Sequence, residues 1–191
     1  MLNKIYRGFV IGCLVFSLVG CSKTNANLQE NCIKATEHIY CAESISQEEV
    51  DLVQSYINNL PECIQKDFVN DGEWRVYIVD SMPNGVKGRM VVEEKAVYIV
   101  SGYEFDHLIH EFAHIYLHNN PLDEEFKAIY EEEAQQMIKA YYGDEMYSAS
   151  NPTEFFCSAW NIVYTMGGYD TEGVAPKTFA YFNNLFSSLY N

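Results

Sequence analysis

The segment Leu108–His118 reads LIHEFAHIYLH and carries the strongest structural signal in this chain. It contains the pattern His-Glu-x-x-His at His110, Glu111 and His114. Because residues four apart lie on one face of an α-helix, the two imidazoles can bind the same ion. Glu111 lies about 100° around that helix, where its carboxylate can reach a water on the ion. The pattern predicts an active-site helix with one zinc ion per chain. The alternative is a pair of surface histidines that bind nothing.

The segments on either side of this helix predict a small sheet between helical regions. SQEE at Ser46–Glu49 is a capping box, and we expect residues 27–70 to be helical. Trp74–Asp80 and Lys95–Ser101 are rich in β-branched and aromatic residues and indicate strands, with a third strand at GRMVVEE. Further helices are expected over about 105–118, 123–142, 152–166 and 177–190. This order favours the α+β class, with a small mixed sheet packed on helices.

The N-terminus is typical of a signal peptide. Lys4 and Arg7 precede an apolar run from Phe9 to Gly20, which is too short to indicate a transmembrane helix. The run ends in Leu-Val-Gly-Cys, which resembles the lipobox of bacterial lipoproteins. That resemblance implies lipidation of Cys21, which would anchor the mature chain to a bacterial membrane outside the cytoplasm. The alternative is an ordinary signal peptide.

We therefore expect three regions along the chain. A signal peptide at 1–20 is followed by the lipidated cysteine and a polar tether at 21–30, and then by a single domain at 31–191. The formal net charge of −15 disfavours nucleic acid as a partner. The expected partners are the membrane and a protein or peptide substrate, and we expect a monomer.

The cysteines after Cys21 leave the disulfide state open. They are Cys32, Cys41, Cys63 and Cys157. Four cysteines allow three connectivities, and disulfides form readily outside the cytoplasm. Their spacings match no cysteine-based zinc pattern. A Cys32–Cys41 bridge, a Cys32–Cys63 bridge and free buried thiols all remain open.

Two glutamates compete as the third zinc ligand. Glu133 follows His114 by nineteen residues, a spacing used by some zinc aminopeptidases, but its run YEEEAQQ is also typical of a solvated helix face. Glu154 follows His114 by forty residues, but it also fits a routine helix start with Asn151 as N-cap and Pro152 at the first position. Spacing alone does not choose between them.

Two more histidines flank the motif. His118 continues the face of His110 and His114, but a metzincin's third histidine lies six residues after the second, where this chain has Asn120. We therefore do not expect His118 to bind the metal. His107 lies one turn before His110, and we expect it to make local hydrogen bonds.

Three separated blocks, HEFAHIY, YSASNPTEFF and VAPKTFAYFNN, resemble the catalytic domain of anthrax lethal factor and the related clostridial Pro-Pro endopeptidases. The resemblance covers about Trp74 to Tyr190 and implies a zincin-like metallopeptidase. Mapped onto matching positions, it implies that Glu154 joins the two motif histidines as the third zinc ligand. It further implies that Glu111 is the general base and that Tyr147, seven residues before Glu154, assists the transition state.

One position departs from that family. Its members usually carry a glutamate four residues after the third ligand, where it supports a ligand histidine, and this chain has Ser158 there. Loss of such support weakens metal sites. The leading hypothesis is a lipid-anchored zinc metalloendopeptidase. The alternatives are a binding lipoprotein with a weakened site and a lipoprotein with a chance motif.

Substrate binding suggests two further expectations. Zincins commonly hold an extended peptide against an edge strand, and Lys95–Ser101 is the predicted edge, although it also fits an ordinary buried strand. The loop Met82–Gly88 would then rim the cleft. Proline-rich substrates are one option that the resemblance leaves open.

Overall fold

The structure is a computed structural model that describes residues 28–69, 74–143 and 146–190. The predicted signal peptide at 1–20 and the lipidation site Cys21 lie outside the described residues. Within those described ranges, no helix has the length and apolar character that a membrane span requires.

A five-stranded mixed sheet forms one layer of the fold. Its strands are β1 (Cys32–Lys34), β2 (Ile39–Ala42), β3 (Arg75–Val79), β4 (Gly88–Val91) and β5 (Ala96–Val100). They lie in the order β1-β2-β3-β5-β4, in which the three inner strands are parallel and the two edge strands antiparallel. This confirms the predicted α+β class.

Helices form the second layer. They are α1 (Gln47–Asn58), α2 (Glu62–Val69), α3 (Glu104–Asn119), α4 (Glu124–Tyr142), α5 (Pro152–Thr165) and α6 (Pro176–Leu189). The capping box at the start of α1 is present, since the Ser46 hydroxyl accepts the Glu49 N–H and the Glu49 carboxylate accepts the Ser46 N–H. The predicted ranges of α3 to α6 agree with the structure to within one residue at each end.

The helix predicted across Cys32–Ala42 is wrong, because β1 and β2 form there instead. Ile39 and Cys41 point to the helical layer, while Tyr40 points to the opposite face. On that opposite face the rings of Tyr40, Tyr77 and Tyr98 stack across three strands, with centroids 5.2 and 5.1 Å apart. This cross-strand stacking stabilises β2 through tertiary contacts rather than local propensity.

The sheet register also bears on the disulfide question. Cys32 pairs with Ala42, whereas Cys41 pairs with Ile33. Because successive side chains in a strand alternate between faces, the Cys32 and Cys41 thiols point to opposite faces of the sheet. A bridge between them is incompatible with this register, and none of the four described cysteines forms a disulfide.

The prediction that Lys95–Ser101 forms an edge is wrong. Strand β5 lies between β3 and β4, and every one of its residues is buried. The chain makes the hairpin from β4 to β5 through a 3-10 turn at Val92–Glu94, followed by Lys95 with a φ of 46°. The edge beside α3 is therefore β4, and α3 itself is packed between the sheet and α5.

Candidate metal centre

Three side-chain atoms that could bind a metal ion converge where α3 packs against α5. The Nε2 atoms of His110 and His114 lie 3.1 Å apart. The Glu154 Oε2 atom lies 3.3 Å from the first of these nitrogens and 3.7 Å from the second. Helical spacing brings the imidazoles together, and the packing of α5 brings the carboxylate to them.

The start of α5 explains how Glu154 reaches this point. Asn151 is the N-cap and its side chain accepts a hydrogen bond of 3.0 Å from the Glu154 main-chain N–H, with Pro152 at the beginning of the helix. The cap uses only the main chain of Glu154. The predicted helix start is therefore correct, and the Glu154 side chain still faces the imidazoles.

The three atoms fit a zinc ion. Tetrahedral zinc with bonds of about 2.0–2.2 Å to nitrogen and oxygen holds its ligand atoms roughly 3.3 Å apart. The separations here run from 3.1 to 3.7 Å. In addition, the buried Oε2 of Glu154 makes no well-directed hydrogen bond, a costly state for a carboxylate oxygen that a bound cation would relieve. His110, His114 and Glu154 would hold the ion and leave a fourth position for water.

The pKa values of Glu154 and His114 are both shifted by the close approach of these side chains. Burial raises the pKa of Glu154, but the adjacent imidazoles of His110 and His114 outweigh burial and hold the pKa well below its usual range. Burial lowers the pKa of His114, but Cys157, Glu154 and Glu111 together raise it well above its usual value. The negative charge that raises the pKa of His114 would also attract a divalent cation, which would displace the imidazole proton when it binds.

Glu111 is buried beside the ligands with only 2% of its surface exposed. The main-chain N–H of Met90, on the edge strand β4, donates a hydrogen bond to its carboxylate. Burial raises the pKa of Glu111, although His110 and His114 partly oppose the shift. A carboxylate with a raised pKa beside a metal position is suited to act as a general base.

Strand β4 leaves room for Glu111 only because residue 88 is glycine. A Cβ atom added to Gly88 would lie 2.8 Å from Oε1 of Glu111 and 3.1 Å from Cβ of His107. Both distances are shorter than carbon atoms normally tolerate, so an added methyl group would push the Glu111 side chain away. The predicted rim loop Met82–Gly88 thus ends directly against the candidate base.

Gly88→Ala is therefore expected to lower kcat by about 10²-fold, because a shift of about 1 Å in a catalytic group has that effect. Zinc content should stay at the wild-type level, since Glu111 is not among the three ligand atoms. Peptide hydrolysis and metal analysis on the same preparation test this. Unchanged turnover in a folded Gly88→Ala protein would show that the strand does not position Glu111.

Ser158 occupies the position at which the resemblance implies a glutamate. Its hydroxyl Oγ lies 3.3 Å from Nδ1 of His110, and Ser158 is completely buried. The serine thus contacts the ring nitrogen that faces away from Glu154. A hydroxyl here can fix the orientation and tautomer of His110, as partners behind metal-binding histidines commonly do.

Ser158→Ala is expected to lower zinc affinity by about 10- to 100-fold, the usual effect of losing such a partner. Chelator competition measures this affinity directly. Ser187→Ala, on the exposed surface of α6, removes the same hydroxyl group far from the site and should leave zinc affinity unchanged. Equal zinc affinity in Ser158→Ala and wild type would mean that packing alone orients His110.

Tyr147 lies in the 3-10 turn Met146–Ala149 that leads into α5. It is half-buried, and its main-chain oxygen accepts a hydrogen bond of 2.8 Å from the Ser150 N–H. The turn packs on α4 and α5, which places Tyr147 near the start of the helix that carries Glu154. A catalytic role for its hydroxyl stays a prediction.

Glu133 and His107 do not join the three converging side chains. The Glu133 carboxylate accepts hydrogen bonds of 3.0 and 2.8 Å from the N–H groups of Lys177 and Thr178, so it caps α6 instead of joining the histidines. His107 is half-buried, and burial, helped by His110 and Lys87, lowers its pKa to about 4.

His118 lines a cavity of about 450 Å³ that opens beside His114. Met90, Leu117 and Leu122 form apolar parts of its wall, and Lys127 and Thr153 also contribute. Because both His114 and Met90 line it, the cavity extends from the candidate metal position to the edge strand β4.

Cys157 on α5 also lies at the site, although the His-Glu-x-x-His motif gives no indication of it. Cys157 is completely buried and makes a side-chain hydrogen bond with His114. Burial raises the pKa of its thiol, although His114 opposes the shift. The sequence does carry one indication of this position. Cys157 follows Glu154 by three residues, a spacing that places both side chains on one face of α5.

Comparison with known proteins identifies the family of this chain. The model of the family described as "Anthrax toxin lethal factor, N- and C-terminal domain" matches residues 68–185, more than half of the chain. The chain belongs to the anthrax toxin lethal factor family. The resemblance predicted from the three sequence blocks is thereby confirmed, and membership supports a metallopeptidase at the level of the family.

A solved structure of a Pro-Pro endopeptidase from Paenibacillus alvei has a similar fold. It matches with a TM-score of 0.57 and 17% sequence identity, and the match covers 83% of this chain and 98% of that chain. At this identity the match establishes that the two chains share a fold. A comparison with curated proteins finds no significant match.

Proposed function

We propose that this chain is a zinc metalloendopeptidase that hydrolyses peptide bonds in proteins or peptides. The observation that carries the proposal is the convergence of the His110, His114 and Glu154 ligand atoms within 3.1–3.7 Å, with buried Glu111 beside them. Zinc bound there would polarise the scissile carbonyl and lower the pKa of a bound water toward neutrality.

The residues of the chain then have separate tasks. Glu111, held by the Met90 N–H, would take the proton of the attacking water and pass it to the departing amine. Tyr147 would donate a hydrogen bond to the oxyanion that develops on the carbonyl. Ser158 would keep His110 in the orientation in which its Nε2 faces Glu154.

The substrate would lie along β4. This strand is an edge of the sheet and borders both Glu111 and the cavity beside His114. An extended peptide can add to such an edge through main-chain hydrogen bonds. Peptides that contain proline are the first to test, because the structurally similar protein is a Pro-Pro endopeptidase.

Elemental analysis and a peptide-cleavage assay of the purified protein test the proposal. We expect one zinc per chain by elemental analysis and cleavage of members of a peptide library that includes Pro-Pro sequences. Removal of the metal by a chelator should abolish cleavage, and added zinc should restore it. Zinc binding without cleavage of any peptide would favour a binding module, and a protein that binds no zinc would overturn the metal centre.

We also propose that the protein is a lipoprotein attached to a bacterial membrane at Cys21, outside the cytoplasm. The support is the charged and apolar N-terminal pattern followed by Leu-Val-Gly-Cys. Mass spectrometry of the protein from a membrane fraction should find a lipid-modified Cys21 as the first residue. An intact Met1 or an unmodified Cys21 would refute the anchor.

A further inference from the structure

The wall of the metal centre contains a thiol in addition to the three predicted ligands. Cys157 lies one turn after Glu154 on α5, and none of its surface is exposed. Ligand atoms of His110, His114 and Cys157 all lie within 4.8 Å of one another. The thiol also makes a side-chain hydrogen bond with His114. It is therefore close enough to be reached by an ion after a small side-chain movement.

A thiolate at this position would change the coordination of the ion. Zinc binds a cysteine thiolate at about 2.3 Å, and sites with four protein ligands are closed, whereas catalytic sites keep one position for water. Two imidazoles, one carboxylate and one thiolate would make a closed set. Glu154 supplies independent evidence for a cation at this point, because its buried Oε2 faces the imidazoles without a well-directed hydrogen bond.

We propose that Cys157 is a fourth protein ligand of the metal centre and that its thiolate closes the centre in a resting form. This inference rests on the proposed function, because it requires the same ion. On closing, the S–H bond would break and its proton would pass to solvent, the bound water would leave the ion, and the sulfur would replace that water as a ligand. No electron is transferred. The balance between the two forms then sets the fraction of the enzyme that is able to act.

Cobalt(II) in place of zinc tests the inference, because thiolate ligation produces an intense sulfur-to-cobalt charge-transfer band in the near ultraviolet. We expect this band in wild-type protein loaded with one cobalt per chain. It should be absent from Cys157→Ala, and chelator competition should show about 10-fold or more weaker zinc binding in that variant. Cys63→Ala is the matched control, because Cys63 is exposed on α2 and should leave both measurements unchanged.

The outcomes separate this inference from the proposed function. One cobalt per chain without the charge-transfer band would overturn the role of Cys157 and leave the peptidase proposal intact. A band that persists in Cys157→Ala would assign the sulfur to another cysteine and equally overturn it. Failure of wild-type protein to bind any cobalt or zinc would reject the metal centre and both proposals. If Cys157→Ala does not fold, Cys157→Ser preserves the side-chain size and should also lack the band.

Discussion

Replacing Glu111 with glutamine is expected to lower kcat/KM by about 10³-fold, which is within the usual contribution of a general acid–base group. Glutamine preserves the shape of the side chain but cannot accept the proton of the attacking water. The expected loss is large because Glu111 is buried and already positioned by the Met90 N–H, so solvent is poorly placed to substitute for it.

The measurement is steady-state hydrolysis of the best library peptide, with zinc determined on the same sample. Zinc content should equal that of wild type, because Glu111 contributes none of the three ligand atoms. Glu131→Gln, on the exposed face of α4, is the matched control and should retain full activity. Hydrolysis that survives in Glu111→Gln would contradict the proposed mechanism while leaving the metal centre unaffected.

The longer elements were predictable because their apolar pattern extends over several helical turns and their ends carry capping residues. Ser46 and Asn151 both form the predicted caps. Strands β1 and β2 contain only three and four residues, too few for an alternating pattern to stand out in the sequence. Their existence depends on neighbouring strands and on the stacked tyrosines, which are contacts between distant parts of the chain.

In the candidate site, too, features set by local sequence were predictable, and features set by contacts between distant parts of the chain were not. The His110 and His114 pair follows from helical spacing, which is local. The approach of Glu154 depends on how α5 packs against α3, so spacing left Glu133 equally open and family resemblance was needed to choose. Gly88 and Ser158 contact the site across the fold, and their roles become visible only when distances to Glu111 and His110 are known.

Replacing Glu154 with glutamine is expected to lower zinc affinity by more than about 10²-fold, exceeding the effect of losing a partner behind a ligand. The change removes the negative charge that lies 3.3 Å from one ligand nitrogen and 3.7 Å from the other. A metal that binds only the folded state at 100 times its Kd adds about 2.7 kcal/mol of stability. Zinc should therefore raise the Tm of the wild-type protein and have little effect on Glu154→Gln.

Glu133→Gln is the matched comparison, because Glu133 is also a buried glutamate and was the competing ligand. Its carboxylate accepts hydrogen bonds from the main-chain N–H groups of Lys177 and Thr178 at the start of α6. The variant should lose about 1–3 kcal/mol of unfolding free energy, because its amide satisfies these donors less well than the carboxylate does. It should still gain the full zinc-dependent rise in Tm. If Glu133→Gln lost that rise and Glu154→Gln kept it, the assignment of the third ligand would be reversed.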